Sequence, residues 1–299
     1  MTADPSSPLS PADSARLGDS ANADETRIAE QAAALVALLK PLERCVIAFS
    51  GGVDSAVVAQ AAFLALGDRA VAVTADSESL PTEELAGAVR TAAAIGILHR
   101  VVRTREIDRA GYRANTGDRC YHCKSELYDQ LAVVTAEIGD AAVLNGANLD
   151  DVGDYRPGMR AAKERGVRSP LIELSLNKAD VRAIARFWGV SAWDKPASPC
   201  LASRIAYGQE VTPERLTQIE EGERFLHSLG LRTVRLRMHA EGIARIEAPL
   251  DVLPALAAPE TRDRLVAELK RLGFRFVTLD LEGFRSGSLN QLLPILSTR

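Results

Sequence analysis

The sequence predicts an α/β protein, a doubly wound parallel sheet of Rossmann-like type followed by a second, smaller α+β domain. Three observations predict it. Short apolar runs of buried-strand type alternate with helical patterns up to residue 207, and a glycine turn joins the first such strand to its helix. Beyond residue 207 the alternation gives way to helix, two strands, helix and strand. With 299 residues, 46% apolar and 25% charged, the chain can bury one large core or two smaller ones. A disulfide-stapled miniprotein and a disordered tail protein are excluded.

Taken in order, residues 1–23 are rich in Ser, Pro, Ala and Asp without periodic apolar positions and are expected as a disordered leader. Apolar residues at helical spacing (Ile28, Ala32, Leu35, Leu38, Leu39) predict a helix over 25–39, ended by Pro41. Cys45 to Phe49 read as a buried strand, residues 50–55 as a turn, and the Ala/Val/Leu-rich stretch to Gly67 as a helix. Then follow a strand at 70–75, a helix opened by Pro81 with Glu83 and Glu84 in its first turn, and a strand at 99–103. A long helix is predicted over 120–138, a strand over 142–145, and a helix from its N-cap Asn177 to Gly189. This unit spans 24–207. In the second, 208–299, Thr212-Pro213 opens a helix that stops at Gly230. Strands are predicted at 233–238 and 243–247, a helix at 259–272 and a strand at 274–281.

Charge and cysteine content narrow the function. Thirty-six Lys plus Arg against 40 Asp plus Glu give a net charge of −4, which does not suggest a polyanion-coating or membrane-surface protein. No uncharged run approaches the ~18 residues of a membrane span, no signal-peptide core precedes Arg16, and the protein is expected to be cytoplasmic. Its four cysteines are too few for a disulfide framework and should stay reduced.

In Ser50-Gly51-Gly52-Val53-Asp54-Ser55 the backbone N–H groups converge at a helix N-terminus, where an anion would sit. The hexapeptide matches neither the Walker turn nor the dinucleotide-binding fingerprint. It resembles the PP-loop of the N-type ATP pyrophosphatases, which adenylate a substrate oxygen and release pyrophosphate. The resemblance implies that Ser50, Gly51, Gly52, Asp54 and Ser55 bind ATP, with the strand end around Thr74 contacting adenine and Mg²⁺ beside the phosphates.

Cys120-Tyr121-His122-Cys123 places two thiols at a helix start, where the dipole favours thiolates. By itself it reads equally as a redox pair, half a zinc site or two indifferent cysteines. Cys200 lies on an irregular segment at the domain boundary, near Lys195 and Arg204. Here the resemblance sharpens. Lys195-Pro196-x-x-x-Cys200-Leu201-Ala202-Ser203-Arg204, Asn145-Gly146-Ala147-Asn148-Leu149-Asp150-Asp151 upstream and Arg237-x-His239 downstream are similar to the LarE-type sulfur transferases over residues 25–285.

That family adenylates a carboxylate of pyridinium-3,5-biscarboxylic acid mononucleotide and inserts sulfur, a step towards the nickel-pincer nucleotide cofactor. In one variant the cysteine matching Cys200 surrenders its own sulfur; in the other it joins a Cys-x-x-Cys as ligand to a [4Fe–4S] cluster. Cys120, Cys123 and Cys200 match the second, leaving one iron open for sulfide. Zinc, with His122 or Cys45 as a fourth ligand, is the competing metal, and Cys45 reads as a core residue. The family's members form homo-oligomers.

Period-two alternation puts Arg235, Arg237 and His239 on one strand face, either a solvated edge or, with Arg204, a clamp for a substrate bearing two carboxylates and a phosphate. By family spacing Glu223 is the acidic site residue on the preceding helix, with Glu220 close by, and Asp251 the candidate for a further acid. A PP-loop tRNA thiolase is the alternative enzyme, disfavoured by the charge of −4 and the lack of a Lys/Arg run. A non-catalytic nucleotide- or metal-binding regulator is the third reading.

Overall fold

The computed structural model describes residues 11–152, 157–196, 198–285 and 287–289, with side chains from residue 24 onward. The first unit comprises α1 (Pro11–Leu39), β1 (Cys45–Ala48), α2 (Val53–Leu66), β2 (Ala70–Asp76), α3 (Thr82–Ile95), β3 (Leu98–Arg103), α4 (Ala110–Arg113), α5 (Arg119–Ile138), β4 (Ala142–Leu144), α6 (Pro157–Glu164), α7 (Pro170–Glu173) and α8 (Lys178–Phe187). The second comprises α9 (Pro213–Ser228), β5 (Arg235–His239), β6 (Ile243–Glu247), α10 (Leu253–Ala257), α11 (Pro259–Arg271) and β7 (Phe276–Leu279).

The first sheet has the order β3-β2-β1-β4 with every pairing parallel, so the doubly wound expectation holds. Both of its faces are buried, and successive residues serve opposite cores. Cys45 and Ile47 of β1 face a core with α1, α2, α3 and α8, while Val46 faces a second core with α5 and α6. In β2, Ala70 and Ala72 join the former, Val71 and Val73 the latter. Burial of Ala32, Leu35 and Leu39 docks α1 on this body, each leucine contributing about 1.5–3 kcal/mol.

Helical backbone begins at Pro11, inside the stretch expected as leader. Once the docked part of α1 is formed, extension through Ala, Arg, Leu and Glu residues needs no new nucleation, and Pro is tolerated in a first turn. The remainder of that expectation, residues 1–10, lies outside the described residues.

The capping expectations are met at Asn177, whose side chain accepts from Asp180 N while Asp180 answers to Asn177 N, and at Thr212, which accepts from Arg215 N. In the second sheet β5 pairs antiparallel with β6, and β6 parallel with β7. Its core already takes in Leu201, Ala202 and Ile205, together with Tyr112 of α4. Leu201, Ala202 and Ile205 thus pack against the second sheet and its helices.

Candidate functional site

At the carboxyl end of β1 the chain turns through Gly51 (φ 69°) and Gly52, the N-cap of α2. A Cβ on Gly51 would lie 2.6 Å from Ala88 Cα, so only glycine fits. The serines brace the turn from within. Ser50 N donates to Ser55 Oγ at 3.2 Å, and Ser55 Oγ donates to Gly52 O at 3.0 Å. The turn after β4 presses against it, since a Cβ on Gly146 would fall 2.6 Å from Ser55 N.

From that second turn Asn148 Nδ2 donates to Asp54 Oδ1 at 3.0 Å, and Lys178 at the start of α8 forms an ion pair with Asp54 Oδ2. Ser50, Gly51, Gly52, Asp54 and Ser55 therefore form one nest. Thr74 at the end of β2 is buried, its hydroxyl donating to Phe49 O at 2.8 Å and 2.8 Å from His99 Nε2.

A cleft of about 1140 Å³ lies between the two units, lined by Thr82, Glu84, Arg119, Lys195, Glu223 and Arg235 among others. On its first-unit wall Lys195 Nζ meets Glu84 Oε2 at 2.7 Å, and from the second unit Glu220 Oε1 accepts from Thr82 N at 2.8 Å, capping one orphan donor of α3.

Cys120 and Cys200 are sequence neighbours of the cleft-lining residues Arg119, Pro199 and Leu201, and Cys123 follows Cys120 by three residues on α5. Cys120 is exposed in the first turn of α5, while Cys123 and Cys200 are half-buried against the second core. All are free thiols. Burial pushes the Cys123 thiol well above its ordinary range, with Glu106, Cys200 and Cys120 adding to the rise and Lys124 opposing it. Arg119 is buried; desolvation opposes its charge, but Cys200 and Cys120 favour it and its pKa rises. The structure thus brings the three sulfurs into one electrostatic neighbourhood with Arg119 and Lys124.

They do not form a preformed ligand set: among the described residues no group of three His, Cys, Asp or Glu converges to hold a metal. His122 is turned to Asp118 Oδ2, 3.4 Å away. Cys45 is fully buried in β1, its thiol pushed up to about 12 by burial.

The arginine face differs from the expected clamp. Arg204, 2% exposed, makes a bidentate pair with Glu223, 3.0 Å on each arm, and also donates to the carbonyls of Pro199 and Cys200. Arg237 is bound to Glu247 at 2.9 and 3.0 Å and donates to Ser203 O at 3.2 Å. Both are neutralised internally because a buried guanidinium is stable only beside a counter-charge. Arg235 stays half-buried at the cleft, its pKa lowered by burial and by the like charge of Arg204. His239 accepts from Arg245 Nε at 3.0 Å, its pKa lowered by burial first and Arg245 next. Asp251 is exposed on the 250–252 turn and does not line the cleft; the acids gathered on this sheet are Glu247 and Asp280.

Sequence reasoning gave no role to Asn115, Arg119, Lys178 or Glu247. The advance signals were that Arg119 precedes a Cys-x-x-Cys, that Lys178 follows an N-cap, and that Glu247 closes the stretch Ala244-Arg245-Ile246-Glu247, which follows Arg237-x-His239 and shares in the family resemblance.

A 3-2-1-4 parallel sheet carrying this nest at the end of its first strand defines the Rossmann-like PP-loop class. No protein-family model matches the chain. Curated relatives do. An uncharacterised protein of Synechocystis sp. is 48% identical over 252 residues, covering 84% of this chain and 94% of the relative. The pyridinium-3,5-bisthiocarboxylic acid mononucleotide synthase of Lactiplantibacillus plantarum is 41% identical over 267 residues, 89% of this chain and 96% of the synthase. An uncharacterised protein of Methanocaldococcus jannaschii is 26% identical over 244 residues, 82% of this chain and 92% of the relative. The chain belongs to the LarE-type sulfur transferase family and is an enzyme of the sulfurtransferase class. Among the described residues no helix is long and apolar enough to cross a membrane.

Proposed function

We propose that this cytoplasmic enzyme uses ATP to activate a carboxylate of pyridinium-3,5-biscarboxylic acid mononucleotide and replaces an oxygen of that group by sulfur. The carboxylate oxygen attacks the α-phosphorus, the bond to pyrophosphate breaks, and the acyl adenylate then loses AMP to a sulfur nucleophile, leaving the thiocarboxylate. The nest at Ser50–Ser55 suits the departing pyrophosphate, as main-chain N–H groups and the α2 N-terminus face it. Asp54, supported by Asn148, would hold Mg²⁺, and Lys178 would turn from Asp54 to the phosphates. Arg235 lines the cleft half-buried, and its guanidinium suits a carboxylate or phosphate of the substrate.

The observation that carries the sulfur step is the gathering of Cys120, Cys123 and Cys200 beside Arg119 and Lys124. Three free thiols near two cations suit an anionic iron–sulfur cluster in the chemistry of the donor set, with one iron left without a protein ligand. When bound, a [4Fe–4S] cluster would supply the sulfur nucleophile. Glu223 acts by holding Arg204, which in turn holds the Cys200 carbonyl. Anaerobic reconstitution tests this reading. About four iron and four acid-labile sulfide per chain are expected, with both lost when any one of the three cysteines is replaced by Ala. Stoichiometric zinc, or conversion of Cys200 to dehydroalanine during turnover, refutes it.

A further inference from the structure

The three thiols come from two segments distant in sequence, so their spacing depends on whatever joins α5 to the segment after Cys200. Asn115 is fully buried and holds a left-handed backbone (φ 52°), which Asn adopts at less cost than most residues. The two hydrogens of its Nδ2 are shared among the carbonyls of Ile205 at 3.2 Å, Ala206 at 3.0 Å and Gln209 at 2.9 Å. Its Oδ1 accepts from Arg119 Nη1 at 2.6 Å, and that same nitrogen donates to Ala202 O at 2.8 Å. Backbone bonds run alongside, Gly208 N to Asn115 O at 3.1 Å and Val211 N to Arg113 O at 2.9 Å. The Arg119 guanidinium lies 5.8 Å from the centre of the Tyr207 ring. Arg119 immediately precedes Cys120, and Ala202 lies two residues beyond Cys200.

We infer that Asn115 and Arg119 are positioning residues that hold the start of α5, with Cys120 and Cys123, beside the Cys200 segment before any cofactor is bound, leaving the sulfurs only a short final approach when a cofactor is loaded. Ala206 N ties the segment at 205–209 to Met238 O of β5 at 2.9 Å and Gln209 N returns to Ala206 O at 3.0 Å, while towards α5 one amide group gathers three of its carbonyls. Buried polar groups joined this way specify a single arrangement, because each alternative leaves a donor or acceptor unmade in a dry site. The inference rests on reading the three cysteines as one ligand set, but it is a claim about the metal-free protein.

The test uses the full chain, reduced and metal-free, treated with a short bis-maleimide and mapped by peptide mass. The unaltered protein should give bridges from Cys120 or Cys123 to Cys200 as well as Cys120–Cys123 bridges. Asn115→Gly keeps the backbone angle and removes the side chain; Asn115→Asp keeps the acceptor for Arg119 and removes the donor. In both, bridging to Cys200 should slow about tenfold, while Cys120–Cys123 bridging, internal to one helix, keeps its rate. Arg119→Lys, a milder change that retains a cation and a donor, should give an intermediate rate. Equal bridging in all variants, or none to Cys200 in the unaltered protein, overturns the inference. An unaltered protein that bridges yet takes up no iron refutes the cluster reading and leaves the clamp standing. Full iron uptake by Asn115→Gly refutes the clamp and leaves the cluster reading standing.

Discussion

Replacing Glu223 by Gln exposes how strongly the Cys200 segment depends on a buried charge pair. Arg204 and Glu223 side chains are 2% and 9% exposed, so neither charge is served by water. In Glu223→Gln the amide oxygen can still accept from Leu236 N, a bond of 3.0 Å in the native protein, but the amide nitrogen then faces a guanidinium donor. Removing one partner of a buried pair costs about 3–5 kcal/mol. Arg204 retains the carbonyls of Pro199 and Cys200 and Ser203 Oγ as acceptors, which places the loss near the lower end, about 3 kcal/mol. With a urea slope of about 3 kcal/mol/M for a chain of this size, the midpoint should fall by about 1 M. Equilibrium urea unfolding followed by circular dichroism reads it directly. The double variant Arg204→Met/Glu223→Met should recover part of the loss, since it leaves no uncompensated buried charge, although Leu236 N and the Pro199 and Cys200 carbonyls lose their partners. A single-variant shift below about 0.3 M, or a double variant no better than the single, refutes the argument that the pair matters through mutual charge compensation.

Gly51→Ala should lower the melting temperature by about 4–8 °C, corresponding to about 2 kcal/mol from a positive φ and a 2.6 Å approach to Ala88 Cα, as followed by calorimetry. Lys178→Met should slow pyrophosphate release from ATP by about tenfold or more in a coupled assay while leaving the unfolding midpoint within ~0.5 kcal/mol, because its partner Asp54 is only part-buried and keeps Asn148. Cys45 gives a pH test. Its thiol pKa is raised from 9.0 to about 12, so the folded state keeps a proton that the unfolded chain releases above pH 9. Its contribution is therefore complete below pH 9 and falls by about 1.4 kcal/mol per pH unit up to about pH 12; Cys45→Ala should flatten that slope in urea titrations.

The parts legible in the sequence were those governed by local rules. Continuous apolar runs, the mark of a strand buried on both faces, made β1 and β2 visible, and side-chain caps made Asn177 and Thr212 visible as helix starts. Helices α4, α7 and α10 are only four or five residues long, too short to carry a 3.6-residue pattern. The PP-loop was legible because its glycines answer to a backbone geometry. The arginines were read as free cations because the carboxylates that neutralise them lie on other elements, Glu223 on α9 and Glu247 on β6. Period two located Arg237 on a face; it could not say that Ser203, Glu247 and Ser288 cover that face. Asn115 was missed for the same reason, since all three carbonyls it gathers belong to a segment about ninety residues away.

The tight seating of Gly51 and Gly146 has a consequence for binding free energy. Neither position has room for a methyl group, and the PP-loop is wedged between Ala88 on one side and the turn after β4 on the other. Fixing a residue's backbone costs about 1–2 kcal/mol of conformational entropy, and a floppy six-residue loop would charge that cost against each ligand it captured. In this loop the ordering is complete when the chain folds, so a phosphate meets N–H groups already in place. Weak anions should consequently bind there with measurable affinity, and in the proposed reaction nearly all of the favourable interaction would remain for holding pyrophosphate as it leaves.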